Sequence, residues 1–172
     1  MVNETIRNIL ARRSIRRFHD KPVEEDKVKL IIECAFAAPS AGNSRPAHFI
    51  VVDDKKLLSS LAKAHPFGKM LERCPLAIVV CGDPTQSEQA SYYWEEDCSA
   101  AMENILLAAQ ALDLGSVWLG VQHAPAVELA VREFLKIPPH IKVLGIAALG
   151  YPAENKDPHE GILDGKVHLN QW

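Results

Sequence analysis

Between Ser91 and Leu114 the chain runs for 24 residues without a proline or glycine, in a stretch rich in Ala, Leu, Glu and Gln. These are strong helix formers, and Gly115 follows as a natural stop. Met102, Ile105, Leu106, Ala109 and Leu112 recur at helical spacing and make one apolar face, but Ala100, Ala101, Leu107, Ala108 and Ala111 fill most of the remainder. A helix apolar nearly all round must be covered nearly all round. One domain of 172 residues rarely encloses such a helix on every side. Two solutions stay open: a subunit interface covers it, or it is the central core helix of a monomer.

The other elements follow from periodicity. Val2, Ile6, Ile9 and Leu10 predict a helix over about Asn3–Arg12, and Val28, Ile31, Ile32, Ala35 and Phe36 a second within Val23–Pro39. His48–Val52 reads as a strand and Asp54–Ala64 as a helix. Leu76–Cys81 is an unbroken apolar run, the mark of a strand buried on both faces. Val117–Val121 and Ile141–Leu149 are strands, with a helix at Pro125–Leu135 between them. From Gly150 the chain turns to Pro, Gly and charge and closes on Trp172. With no linker, repeat or composition break, residues 1–172 read as one domain. It is an α+β or α/β sandwich whose central sheet is covered on both faces.

Charge and cysteine usage narrow the partners. Nineteen basic and 22 acidic residues give a net charge of −3, which favours neither nucleic acid nor an anionic membrane. The opening MVNETIRNIL is too polar for a secretory core, and no apolar run approaches the ~20 residues that span a bilayer. Cys34, Cys74, Cys81 and Cys98 are scattered and do not make a zinc site. They read as buried free thiols of a cytoplasmic protein.

Four clusters hold candidate chemistry. Arg12-Arg13-Ser14-Ile15-Arg16-Arg17 packs four cations into six residues, which repel one another unless an anion sits among them. In an extended segment Arg12, Ser14 and Arg16 share one side and could grip a phosphate; a solvated helix end is the plainer alternative. Pro39-Ser40-Ala41-Gly42-Asn43-Ser44-Arg45-Pro46 is a turn with more neutral donors and acceptors than a turn needs, suited to a flat polar ring. Gly120, within a strand pattern, suggests a bulge or a close backbone approach. Lys166 and His168 alternate with apolar residues in the tail, and either return to the anion site or lie loose on the surface. Glu95, Glu96 and Asp97 diverge around their helix and make no catalytic pair. No Ser-His-Asp order, H-E-x-x-H, P-loop or G-x-G-x-x-G is present.

Taken in order, R-R-S-I-R, A-P-S-A-G-N-S-R-P-A-H-F, W-L-G, and L-G-Y-P with a final K-V-H resemble the short form of the FMN-dependent nitroreductase family from Arg12 to Trp172. The resemblance implies an α+β sandwich, with a central, mostly antiparallel sheet between helices, that forms an intertwined homodimer with two FMN sites at its interface. By carry-over, Arg12, Arg13, Ser14 and Arg16 hold the FMN phosphate, ribityl chain and pyrimidine edge, and Lys166 and His168 complete the phosphate grip. Pro39, Ser40, Ala41, Asn43 and Arg45 line the ring from the other subunit. Leu119 and Gly120 face flavin N5 through backbone N–H. Arg45 stands where Gln is common, Ala47 where Trp is common and Leu119 where longer members carry Glu. The short stretch from Cys81 to Ser91 lacks the inserts that cover the substrate in longer members.

The implied reaction is a ping-pong cycle: NADH or NADPH delivers hydride to the flavin, and a nitro-aromatic, quinone or related small-molecule acceptor is then reduced. No side chain is expected to act as catalyst itself; Arg16 is the expected electrostatic stabiliser of the reduced flavin. The competing readings are reductive dehalogenation or flavin breakdown on the same fold, and a flavin-binding module without turnover.

Overall fold

The computed structural model describes residues 3–161 and 165–172; Val2, counted above in the first apolar stripe, lies outside them. Helix α1 spans Glu4–Ala11, capped by the Asn3 side chain, which accepts the Ile6 N–H. Helix α2 covers Glu25–Phe36 with two carboxylates in its first turn. In α3, Lys55–Ala64, Asp54 caps by accepting the Lys56 and Leu57 N–H groups. Helix α5 is Pro125–Leu135 with proline in its first turn.

The long helix α4 spans Glu88–Ala111, 24 residues, and starts a turn earlier than its apolar pattern suggests. The reason is Ser87, whose hydroxyl accepts the Ala90 N–H. It also ends earlier: Leu112 is the cap, and Asp113 takes the left-handed conformation (φ 60°) expected of the glycine. Gly115 instead opens a strand.

Four strands, β1 (Ala47–Val52), β2 (Leu76–Gly82), β3 (Gly115–Gly120) and β4 (Lys142–Gly150), form one sheet in the order β1-β2-β4-β3. Every neighbouring pair is antiparallel, so the fold is α+β. Strand β2 is buried along its whole length. Its Ala77, Val79 and Cys81 pack with Leu58 and Leu61 of α3 and Val131 of α5, while Leu76, Ile78 and Val80 pack with Ile31 of α2 and Met102 and Ile105 of α4. Both faces are therefore covered, and each buried Ile or Val contributes about 1.5–3 kcal/mol of transfer free energy.

One irregularity shapes the functional end. Val80 pairs with Gly145 but Cys81 pairs with Val143, so Leu144 is an extra residue. The alternation flips there: Val143, Ile146 and Ala148 face one layer, and Leu144, Ala147 and Leu149 the other. The Leu144 carbonyl accepts both the Val121 and Gln122 N–H groups, which turns the chain out of β3 just past Gly120.

Burial pushes the Cys74, Cys81 and Cys98 thiols up to about 12, so they act as small apolar groups at neutral pH. Two surfaces stay open in the single chain. None of the described α1 residues is buried, and Ile6, Ile9 and Leu10 are 39–49 % exposed. On α4, Tyr92 and Tyr93 are exposed and Ala100, Leu107 and Ala108 only half-buried. No described helix is long and apolar enough to cross a membrane.

Candidate functional site

The arginine-rich segment is moored beside β3 by Ile15. Its N–H donates to the Ser116 carbonyl at 2.9 Å, and Ser14 bridges Ser116 in parallel. The Ile15 side chain fills the space in front of Gly115: a Cβ there would lie 2.7 Å from Ile15 Cγ2. Three residues on, Phe18 is buried and bridges Pro152. Two buried anchors three residues apart break strict alternation, so the arginines do not sort as an extended strand would place them. Arg12 Nε turns to Glu103 of α4 at 3.2 Å, and Arg13 donates to the Asp157 carbonyl. The Ser14 carbonyl accepts from Lys156. Arg16 and Arg17 go elsewhere.

They open onto a cavity of about 730 Å³ shared with Phe18, Lys69, Met70, Glu72, Arg73 and Glu154. This lies within the roughly 300–1,000 Å³ of small-molecule sites. Four cations face two carboxylates. Glu154 is already occupied: it accepts the Arg16 N–H, which holds its carboxyl below the usual value, and it pairs with Lys156 at 3.8 Å. The surplus positive charge suits an anionic ligand, and Phe18 and Met70 add an apolar wall. Sequence reasoning missed Lys69 and Arg73, which lie on and just beyond a 3₁₀ turn, Lys69–Glu72, between α3 and β2. The available signal was two cations in a short connection leading into a fully buried strand.

The end of β3 supplies backbone. The Ser116 carbonyl points away from β4, toward Ile15. Residues alternate along an antiparallel ladder, so Trp118 and Gly120 also turn their N–H and C=O outward, while Leu119 faces its partner Ile146. Of the two residues the sequence offered, Gly120 presents its N–H at the open edge, and a Cβ there would meet nothing within 4 Å. Leu119 buries its side chain in the core. The Gly120 carbonyl is held by the buried His65, whose Nε2 lies 2.9 Å away.

The Pro39–Arg45 loop lies elsewhere in the chain, around a small pocket that includes Pro39, Ser40, Arg45 and Asp97. Gly42, Asn43 and Arg45 all have positive φ (57°, 55° and 52°), a costly choice for arginine. The strain is held by side-chain bonds. Asp97 of α4, 8 % exposed, accepts the Ala41 N–H at 2.9 Å and the Ser44 hydroxyl at 3.4 Å. Ser40 Oγ accepts the Arg45 N–H at 3.0 Å, and Asn43 Oδ1 accepts Arg45 Nε–H at 2.9 Å. Asp97 is thus the loop's anchor, a role its sequence neighbours disguised, since Glu95 faces the other way toward His123. Lys166 and His168 are exposed, line none of the cavities described, and His168 stacks on Trp172 with ring centroids 4.6 Å apart.

Comparison with known proteins agrees with this architecture. The sequence pattern of the Nitroreductase family matches residues 9–65 and 62–151. An Archaeoglobus fulgidus protein provisionally named NADH dehydrogenase/NAD(P)H nitroreductase is 43 % identical over 174 residues, covering 99 % of this chain and 100 % of its own. An FMN-dependent nitroreductase from Clostridium difficile superposes with a TM-score of 0.91 at 36 % identity, covering 97 % of this chain and 99 % of its own. A Desulfovibrio desulfuricans protein solved with FMN, provisionally a nitroreductase, superposes with a TM-score of 0.85 at 30 % identity, covering 100 % of this chain and 99 % of its own. A four-stranded antiparallel sheet between helical layers, the arginine segment moored to its β3 edge and a match across nearly the whole chain place this protein in the nitroreductase family.

Proposed function

We propose that this chain is an FMN-dependent oxidoreductase that takes reducing equivalents from NADH or NADPH and passes them to nitro-aromatics, quinones or related acceptors. What supports this reading is the cavity in which Arg16, Arg17, Lys69 and Arg73 outnumber the carboxylates, with the Gly120 carbonyl tied through His65 to the turn that leads to Lys69. The residues fit FMN by their chemistry: cations for a phosphate monoester and an electron-rich pyrimidine edge, apolar walls for a flat ring, and a backbone donor on a residue with no side chain in the way. FMN, when bound, supplies the hydride-accepting and hydride-donating chemistry.

The chain's own residues bind, orient and stabilise. Arg16 and Lys69 set a positive potential where the reduced ring carries negative charge. Arg12, Arg13 and Ser14 lie in the adjoining segment and serve the phosphate end once the anion displaces their internal partners. The Gly120 N–H fixes the ring edge. The protein acts as a homodimer. The open apolar stripe of α1 and the exposed Tyr92 and Tyr93 of α4 call for a partner surface. Pro39, Ser40, Ala41, Asn43 and Arg45, remote from the cation cavity of their own chain, serve the partner's ring, and Lys166 and His168 complete the phosphate grip in the assembled dimer. Residues 1–172 work as one domain, in the cytoplasm.

The test is anaerobic. The FMN-loaded protein is mixed with NADH and, separately, with NADPH under argon. Rapid loss of the yellow colour, restored by a nitro-aromatic or a quinone, is the expected result. Lasting colour with both nucleotides would make the protein a flavin-binding module without turnover.

A further inference from the structure

The buried histidine at the end of α3 is used by none of the roles above. We infer that His65 is a positioning residue for the cofactor-facing edge: it takes the Gly120 carbonyl out of play, so that the edge presents a donor alone. The inference rests on the FMN reading.

Hydrogen-bond chemistry fixes its tautomer. The Gly120 carbonyl can only accept, so the Nε2 that lies 2.9 Å from it carries the proton. The Phe67 N–H can only donate, so Nδ1, 3.1 Å away, is the bare acceptor. Both ring nitrogens are committed, and the residue is 6 % exposed. His65 therefore clamps two pieces of backbone: the tip of β3 and the turn leading through Gly68 to Lys69 and Met70, which line the cation cavity.

The clamp matters because Gly120 turns both backbone groups toward the open edge. The ring edge of oxidised FMN is rich in acceptors. It is attracted by an N–H and repelled by a bare carbonyl oxygen. With His65 bonded to the carbonyl, the N–H is the dipole left to face a ligand. The same bond ties the Gly120 donor to the turn that delivers Lys69, so donor and cation are held in register by one side chain.

Two measurements test this. In flavin-free wild-type protein at neutral pH, nitrogen NMR of the His65 ring should show the proton on Nε2 and none on Nδ1; the opposite tautomer, or a ring exchanging freely between both, overturns the inference. In FMN titrations, His65→Phe fills the space without a donor and should bind about tenfold more weakly, roughly the effect of losing one buried hydrogen bond. His65→Gln, which can donate to Gly120, should restore most of that loss. A purely structural role would lower the melting temperature of both variants and leave FMN affinity unchanged, and that result refutes the positioning role. Wild-type protein that takes no FMN refutes the FMN reading, and this inference with it.

Discussion

The contact between Gly115 and Ile15 is the narrowest point in the path from sequence to site, and Gly115→Ala probes it. A Cβ at Gly115 would lie 2.7, 2.9 and 3.1 Å from three Ile15 carbons, where carbon atoms in contact prefer about 3.5–4.0 Å. Ile15 is 7 % exposed with nowhere to retreat except outward, and its N–H bond to the Ser116 carbonyl moves with it. Overpacking of this kind costs about 1–3 kcal/mol. In a chain of this size that lowers the melting temperature by about 2–4 °C per kcal/mol. Ile15→Ala alone loses buried methyls and costs about 2–5 kcal/mol. In the double variant the added and removed carbons no longer meet, so its loss should fall short of the sum by about 1–3 kcal/mol. Urea unfolding of the four proteins at one fixed concentration gives the cycle, and FMN titration of the same samples reports the arginine segment. Gly115→Ala should weaken FMN binding because Arg16 and Arg17 shift with Ile15. Strictly additive losses, or a Gly115→Ala protein as stable and as avid for FMN as the wild type, would refute the mooring argument.

Other consequences can be checked one at a time. Arg16→Ala should lower the midpoint potential of bound FMN by on the order of 30 mV, the equivalent of one charged hydrogen bond, in a spectroscopic redox titration. Arg45→Gly relieves a positive φ but forfeits a bond to Asn43, so its stability should stay within about 0.5 kcal/mol of wild type while FMN binding weakens several-fold. Glu24 accepts the Tyr151 hydroxyl at 2.6 Å and pairs with Lys21 at 3.3 Å, and these hold its carboxyl down at about 2 against an ordinary value of 4.5. The unfolded chain therefore binds that proton at the higher pH, so the stabilisation is complete above about pH 4.5 and is lost as pH falls through 2. The stability difference between wild type and Glu24→Gln should be flat above that range and vanish below it in acid unfolding curves.

The elements were legible where a local signal had no competitor. Pro125–Leu135 follows its apolar period and its proline without disturbance, and Leu76–Gly82 announces its double burial by lacking any polar residue. The ends of α4 were not legible, because Ser87 caps from outside the apolar pattern and Asp113 adopts the left-handed conformation usual for glycine. The arginine segment was visible as charge, but its sorting was not. Alternation assumes a regular strand, and two tertiary contacts, Ile15 on Gly115 and Phe18 on Pro152, override it. Asp97 and His65 were illegible for a related reason. Each acts through a partner far along the chain: Asp97 on Ala41, His65 on Gly120. No short spacing advertises such pairs.

An equilibrium titration of flavin-free protein with FMN, followed by flavin fluorescence, tests most directly whether the cations of the cavity meet one flavin nucleotide per chain. The wild type should saturate at one FMN per chain, and Arg16→Ala and Lys69→Ala should each weaken binding, while Lys29→Ala, on the exposed side of α2, should not. A protein that leaves FMN fluorescence unchanged, or one whose affinity falls equally with Lys29→Ala, would contradict it.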